Sequence, residues 1–370
     1  MDNSAHSIKF GRRCSGLGLV EILIALVLSV LVIAAVIQLF LNNKQAYRLQ
    51  ESLSRIQENG RHALQVLGSD IHMARHLGEL QEYWNLTEAA SPRNLPSPIG
   101  NECFTTAGMP YRWIVPMKTS ADHDASGSTP TVFAPSLSGA NDTRSPFTGC
   151  IPSADYVANT DVISLHFVSA TPMADAALQD NQLYVRSDLN HAVVFRCHAA
   201  GACAPGGSWD SATVANAPLN AVVYYIRSCS DPGADSSCGT MDDRDQPNLP
   251  ALVRARLMSD GSVSSEVVAQ GVVNMQLQYG VDYGESNFPE QYENANELGA
   301  LNSAADWPNW NAVKAVRIWL LVRSGISEPG YQDERSYAMG DHQGGSAVNP
   351  AASFRHQLFT STISLRNGPG

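Results

Sequence analysis

Proline does not occur before Pro92 in this 370-residue chain, so nothing in the first quarter need kink or stop a helix. Charge is missing there too: no Asp, Glu, Lys or Arg lies between Glu21 and Lys44. Basic residues are scarce throughout. The 24 Lys and Arg against 35 Asp and Glu give a formal net charge of −11, which argues against electrostatic binding of nucleic acid. No C-x-x-C pair is present, which removes the usual zinc-knuckle spacing. H-E-x-x-H, G-x-S-x-G, a P-loop and a dinucleotide fingerprint are all lacking. The best-spaced histidines, His191 and His198, flank a strand-like run rather than sharing a helical face. The sequence thus offers no catalytic residue, no metal ligand set and no cofactor site. A Ser–His–Asp set drawn from distant positions stays open, because its members need not be neighbours in the chain.

What the chain does have is a long apolar run. The 24 residues Leu17–Phe40 are apolar or small except Glu21 and Gln38. That length crosses a hydrocarbon core of about 30 Å as a helix. A carboxylate at mid-membrane costs about 2.5–3.5 kcal/mol, so Glu21 is a functional residue in need of a partner. Lys9, Arg12 and Arg13 precede the run and, by the positive-inside rule, keep the N-terminus cytoplasmic and send the remainder outward. A secretory signal carries its small cleavage residue after a shorter apolar core. Here the small residue, Gly16, comes before the run.

Gly16-Leu17-Gly18-Leu19-Val20-Glu21 behind Arg12-Arg13 resembles the prepilin (class III) signal: a basic leader, a Gly, an apolar first mature residue and Glu at the fifth mature position. Leu17 stands where that family usually has Phe. The resemblance implies peptidase cleavage between Gly16 and Leu17 and N-methylation of Leu17. It also implies that Glu21 neutralises the α-amino group of a neighbouring subunit, which relieves two burial costs at once. Loss of residues 1–16 removes Lys9, Arg12, Arg13 and Asp2 and takes the formal charge from −11 to −13.

Of the seven cysteines, Cys14 lies in the leader. Cys103, Cys150, Cys197, Cys203, Cys229 and Cys238 all fall beyond the membrane segment. An even number in an oxidising compartment reads as disulfides, with fifteen connectivities open to six cysteines. Proximity favours Cys197–Cys203 and Cys229–Cys238, which leaves Cys103–Cys150.

The helical pattern continues past Phe40. Ala46, Leu49, Leu53, Ile56, Gly60, Ala63, Leu67, Ile71 and Ala74 recur at steps of three and four, a narrow stripe on an amphipathic helix. From Leu17 to about Leu77 such a helix is roughly 90 Å long. The stripe suits packing on the domain that follows, with a coiled-coil dimer as the alternative. Ser91 to Gly149 is rich in Pro, Ser, Gly, Asp and Asn and reads as a long surface region tied down by Cys103 and Cys150. Strands are then expected at 161–168, 182–187, 192–197, 221–228, 251–258, 263–269, 272–282, 313–324 and 354–367, with a hairpin turn at Ser259-Asp260-Gly261-Ser262. Two long insertions interrupt them, the acidic and aromatic Tyr283–Asn311 and the polar Tyr331–Ala352. Loops of that length are usually functional or disordered. Asp242, Asp243 and Asp245 offer carboxylates that Ca²⁺ could use, but without the Gly and Glu of a standard calcium loop they read as a solvated acidic turn.

Val316–Ser324 (VRIWLLVRS), Phe359–Asn367 (FTSTISLRN) and the Gln57–Leu77 stretch resemble minor pilins of the PilW family. The resemblance covers both ends of the chain and implies an α+β, pilin-like fold. Residues 1–16 would be a cleaved leader and 17–40 a transmembrane half-helix. Residues 41–78 would form an amphipathic half-helix packed on an antiparallel β-sheet head, 79–370, with long disulfide-tied loops. It further implies a non-enzymatic subunit that primes type IV pilus assembly near the tip and supports twitching motility and adhesion. Its partners would be other minor pilins, the major pilin, a tip adhesin, the prepilin peptidase and the inner-membrane assembly platform. The head would be periplasmic and then part of the surface pilus. A minor pseudopilin of a type II secretion system, or an adhesin using the Tyr283–Asn311 loop, are the alternatives.

Overall fold

The structure is a computed structural model. It describes residues 18–78, 86–88, 103, 136–180, 182–189, 192–197, 203–206, 209–244, 248–258, 262–284, 286, 288–299, 307–344, 347–350 and 353–366. The chain divides into two compact units between Ser52 and Leu53.

Helix α1 runs unbroken over the 55 residues Leu19–Met73, as the missing proline allows. In the first unit its large apolar residues, from Leu19 to Leu41, are all exposed.

In the second unit the same helix buries Ile56, Gly60, Ala63, Leu67, Gly68 and Ile71, the stripe its 3.6-residue period sets out. The stripe packs within its own chain from Ile56 onward. Two glycines let a strand come close: a Cβ on Gly60 would sit 2.4 Å from the Phe359 ring, and one on Gly68 would sit 2.8 Å from Ile363 Cδ1. The helix ends just before Arg75, which takes the left-handed conformation (φ 68°) usual for glycine at such ends. Its buried guanidinium offsets that by donating to Trp310 O at 2.6 Å and Val313 O at 2.9 Å.

The head holds two sheets. The larger has eight strands: β1 (Leu86–Glu88), β2 (Leu137–Ala140), β3 (Val162–Val168), β4 (Leu183–Ser187), β5 (Ala192–Arg196), β6 (Ala215–Arg227), β7 (Ala251–Leu257) and β8 (Val263–Gln270). The 13-residue β6 joins its parts, pairing β4 through Ala215–Pro218, β3 through Leu219–Tyr224 and β7 through Val222–Arg227. Every ladder in it is antiparallel except β1–β5. The smaller sheet is antiparallel in the order β10 (Gln291–Glu293), β9 (Val272–Val281), β11 (Val313–Arg323), β12 (His356–Ser364). Helix α2 (Trp307–Asn311) precedes β11. Helix and sheets share one core, in which Ile56, Leu67, Tyr224, Val253, Leu277 and Ile318 are all buried.

This is an α+β chain with a long apolar N-terminal helix and a β-sheet head, as expected. Four expectations change in detail. The presumed surface stretch 91–149 contains β2, all of whose residues are buried, although most of that stretch lies outside the described residues. β6 begins six residues earlier than expected, at Ala215, and runs through Pro218. The residue Pro218 opposes in β4 is Tyr184, and its own carbonyl accepts from Ser169 N–H, so a missing donor there is tolerated. The Tyr283–Asn311 insertion is partly core: it adds β10 to the sheet, and Trp310 is fully buried edge-on to Tyr279 with centroids 5.0 Å apart. The second insertion covers the smaller sheet, where Tyr337 and Met339 pack on Leu321 with Trp319 and Leu358 alongside. The β7–β8 ladder closes from Leu257↔Val263, and residues 259–261 of the expected turn lie outside the described residues.

Candidate functional site

Gly16 and Leu17, the residues of the expected cleavage site, lie outside the described residues, as do His191, His198 and Asp245. Glu21 is described and exposed in the first turn of α1. It is the only charged residue from Leu19 to Asn43. The helix around it reaches a mean hydropathy of 3.1 over its most apolar 18 residues, with none of that stretch buried in the chain. It is long and apolar enough to cross a membrane.

In the second unit, polar groups fix the helix to both sheets. Asp70, in the last turn of the helix, accepts from Tyr224 Oη of β6 at 2.5 Å and from Arg254 Nη1 of β7 at 3.0 Å. Arg254 also pairs with Glu266 of β8 at 2.5 Å. Burial, and then the neighbouring Asp70 carboxylate, push the Tyr224 phenol well above its ordinary value, so it stays a donor. Asn59 Nδ2 donates to Gln270 O at the end of β8 at 2.9 Å, and towards the smaller sheet His72 Nδ1 lies 2.8 Å from Ser364 O of β12. Sequence reasoning found the apolar stripe but not these clamps. Asp70 and Arg254 are 184 positions apart, and no local pattern links them.

Cys103–Cys150, Cys197–Cys203 and Cys229–Cys238 are joined as disulfides, the pairing that proximity favours. The acidic turn near Cys238 supports its own loop. Asp242 Oδ2 accepts the Ala234 N–H at 2.7 Å, and Asp243 Oδ2 accepts the Gly239 N–H at 2.8 Å. Those oxygens satisfy backbone donors.

A second polar cluster was not legible in the sequence, since its halves are 200 residues apart. It gathers Asn141 and Asp142 after β2 with Asp341 and His342 of the second insertion. Asp161 lies behind it, taking the Asp142 N–H on Oδ1 at 2.9 Å and the Leu277 N–H on Oδ2 at 2.7 Å. Burial pushes the Asp161 carboxyl up to about 8, with Asp142 and Asp341 adding repulsion. A third cluster centres on the buried Asp333, which takes Arg335 Nε at 2.8 Å, Tyr337 Oη at 2.9 Å and His356 Nδ1 at 3.0 Å.

No curated protein and no solved structure matches this chain. The clamped part of the head does have a counterpart among protein families. Residues 223–367, from the middle of β6 through β12 and less than half of the chain, match the family model of type IV pilus-assembly protein W.

Proposed function

We propose that this chain is a minor pilin, a membrane-anchored and non-catalytic subunit. In this reading it joins other minor pilins in the complex that primes type IV pilus assembly and ends near the pilus tip. The observation that carries the reading is helix α1. It is one unbroken helix, apolar and exposed where it starts, with a lone carboxylate at Glu21, and its last turns are locked into a β-rich head. The exposed half requires lipid or equivalent helices around it. Glu21 requires a cation, which the α-amino group of Leu17 on a neighbouring subunit would supply after cleavage at Gly16. The match of residues 223–367 to a pilus-assembly family supports the same system. The precursor would sit in the inner membrane with its N-terminus cytoplasmic and its head periplasmic. Its partners would be the prepilin peptidase, the assembly platform, the major pilin, other minor pilins and a tip adhesin.

Deleting the gene should abolish surface pili and twitching while the major pilin still accumulates in the membrane. Gly16→Ala should leave an unprocessed precursor, and Glu21→Ala should be cleaved yet assemble poorly. Normal piliation in the deletion strain would overturn the proposal. The adhesin alternative has a narrower base than the whole Tyr283–Asn311 loop. Deleting that loop would remove the buried Trp310 and the β10 pairing, so loss of pili would follow from misfolding alone. The exposed Phe288 is the cleaner probe. Phe288→Ser that keeps pili but loses attachment would favour an adhesin.

A further inference from the structure

Asp142 and Asp341–His342 bring three metal-capable side chains to one place from two connections of the head. His342 Nε2 lies 2.8 Å from Asp142 Oδ1 and 3.8 Å from Asp341 Oδ1, and one donor atom from each of the three residues falls within 4.8 Å of the others. The plain alternative is a self-sufficient hydrogen-bond network. The surrounding oxygens argue against it. Asn141 presses its amide on both carboxylates, Nδ2 donating to Asp341 Oδ2 at 3.0 Å and to Asp142 Oδ2 at 3.4 Å, while its buried Oδ1 has no partner. Gln276 is fully buried and packs under Gly340, the residue before Asp341. Its Oε1 also lacks a partner and would lie 3.8 Å from a Cβ at Gly340. Tyr279, likewise buried, aims an unpartnered hydroxyl at Gly139, two residues before Asn141.

Buried acceptors without donors are uncommon and each costs free energy. One of them, Asn141 Oδ1, belongs to the side chain that bridges Asp142 and Asp341, carboxylates whose ion pairs, among the described residues, are with a single imidazole. A cation supplies the missing positive charge. Turning the Asn141 amide over would present Oδ1 to the same point, since its O and N are assigned only by their hydrogen bonds.

We propose that Asp142, Asp341 and His342 form a divalent-cation site, with Asn141 as a further oxygen ligand, that ties the connection after β2 to the connection after β11. The mixed donor set of one imidazole nitrogen and carboxylate oxygens suits a first-row ion such as Zn²⁺ rather than Ca²⁺, which takes oxygens alone. The sequence gives no hint of it, because the ligands follow no local spacing.

The test uses the full-length protein in detergent, stripped with EDTA and then titrated with ZnCl₂ by calorimetry. Melting temperature and metal content by mass spectrometry would be read in parallel. The expected result is one Zn²⁺ per chain, a raised melting temperature, and binding more than tenfold weaker in both His342→Ala and Asp341→Asn. Asp341→Asn keeps the side-chain shape, so it serves if His342→Ala does not fold. The proposal is overturned if no stoichiometric Zn²⁺ binds. It is also overturned if both variants bind as tightly as the parent, or if CaCl₂ stabilises the protein and ZnCl₂ does not.

Discussion

Removing the Asp70 carboxylate should loosen the grip of the head on α1 by a calculable amount. Asp70 accepts from the fully buried Tyr224 hydroxyl at 2.5 Å and from Arg254 at 3.0 Å. In Asp70→Ala the phenol loses its acceptor inside the core, and a hydrogen bond to a charged group is worth about 1.5–3 kcal/mol. Arg254 keeps Glu266, and its side chain is 18% exposed, so its loss is discounted to about 1 kcal/mol. The sum is about 3 kcal/mol, or about 4–5 °C in melting temperature for a unit of this size. Urea unfolding of the full chain in detergent, followed through tryptophan fluorescence to which the buried Trp310 contributes, measures it. The single variant does not isolate the pair, so Tyr224→Phe and the double variant complete a cycle. Once the donor is gone, removing the acceptor should cost about 1–2 kcal/mol less than it does alone. A loss below 1 kcal/mol, or strict additivity with Tyr224→Phe, would refute the claim that this clamp holds the helix.

Two further outcomes follow from neighbouring geometry. Gly60→Val should cost about 1–3 kcal/mol through overpacking against Phe359, measurable as a lower melting temperature. Phe359→Ala should relieve part of that strain, and a Gly60→Val protein as stable as the parent would mean that helix and strand do not approach this closely. Acid should destabilise the head through the Asp333 cluster. Burial lowers His356 below 6.5, and Arg335 beside Asp333 holds that carboxyl well below the usual carboxylate range. Both folded-state values are depressed, so both contributions are complete above the unfolded-state values. As pH falls, the His356 part is lost below about 6.5 and the Asp333 part below about 4. His356→Gln should therefore flatten the decline in melting temperature between pH 7 and 5, and an unchanged slope would rule His356 out as its source.

Periodic elements were legible in the sequence, and elements made of small or distant residues were not. The stripe from Ile56 to Ala74 announces itself by spacing, and Val316–Ser324 by a run of β-branched and aromatic residues. β2, Leu-Ser-Gly-Ala, has neither alternation nor bulk, and only its neighbours in the sheet make it a strand. β6 starts early because pairing with β4 outweighs the strand-breaking tendency of Pro218. Trp310 sat in an acidic, aromatic insertion that looked like a binding loop, yet it fills the core beside Tyr279. The polar clusters at Asp70 and Asp142 share one cause of invisibility, since tertiary structure alone sets their distances, and at Asp333 only the His356 contact is distant in the chain. At the N-terminus the reverse holds: Arg12, Arg13, Gly16 and Glu21 form a pattern that needs no fold to be read.

The closure of α1 by β12 sets a waiting time during synthesis. The helix turn bearing His72 is made first, and Ser364, which meets it, is 292 residues later. At about 5–20 residues per second, the interval is roughly 15–60 s. Throughout it, the helix surface at Gly60 and Gly68 has no Phe359 or Ile363 against it. A nascent chain of this design carries an apolar ridge that stays partly uncovered until β12 is made. Truncation before β12 would leave the Gly60 and Gly68 side of the helix without its strand, while the contacts to β6, β7 and β8 could still form.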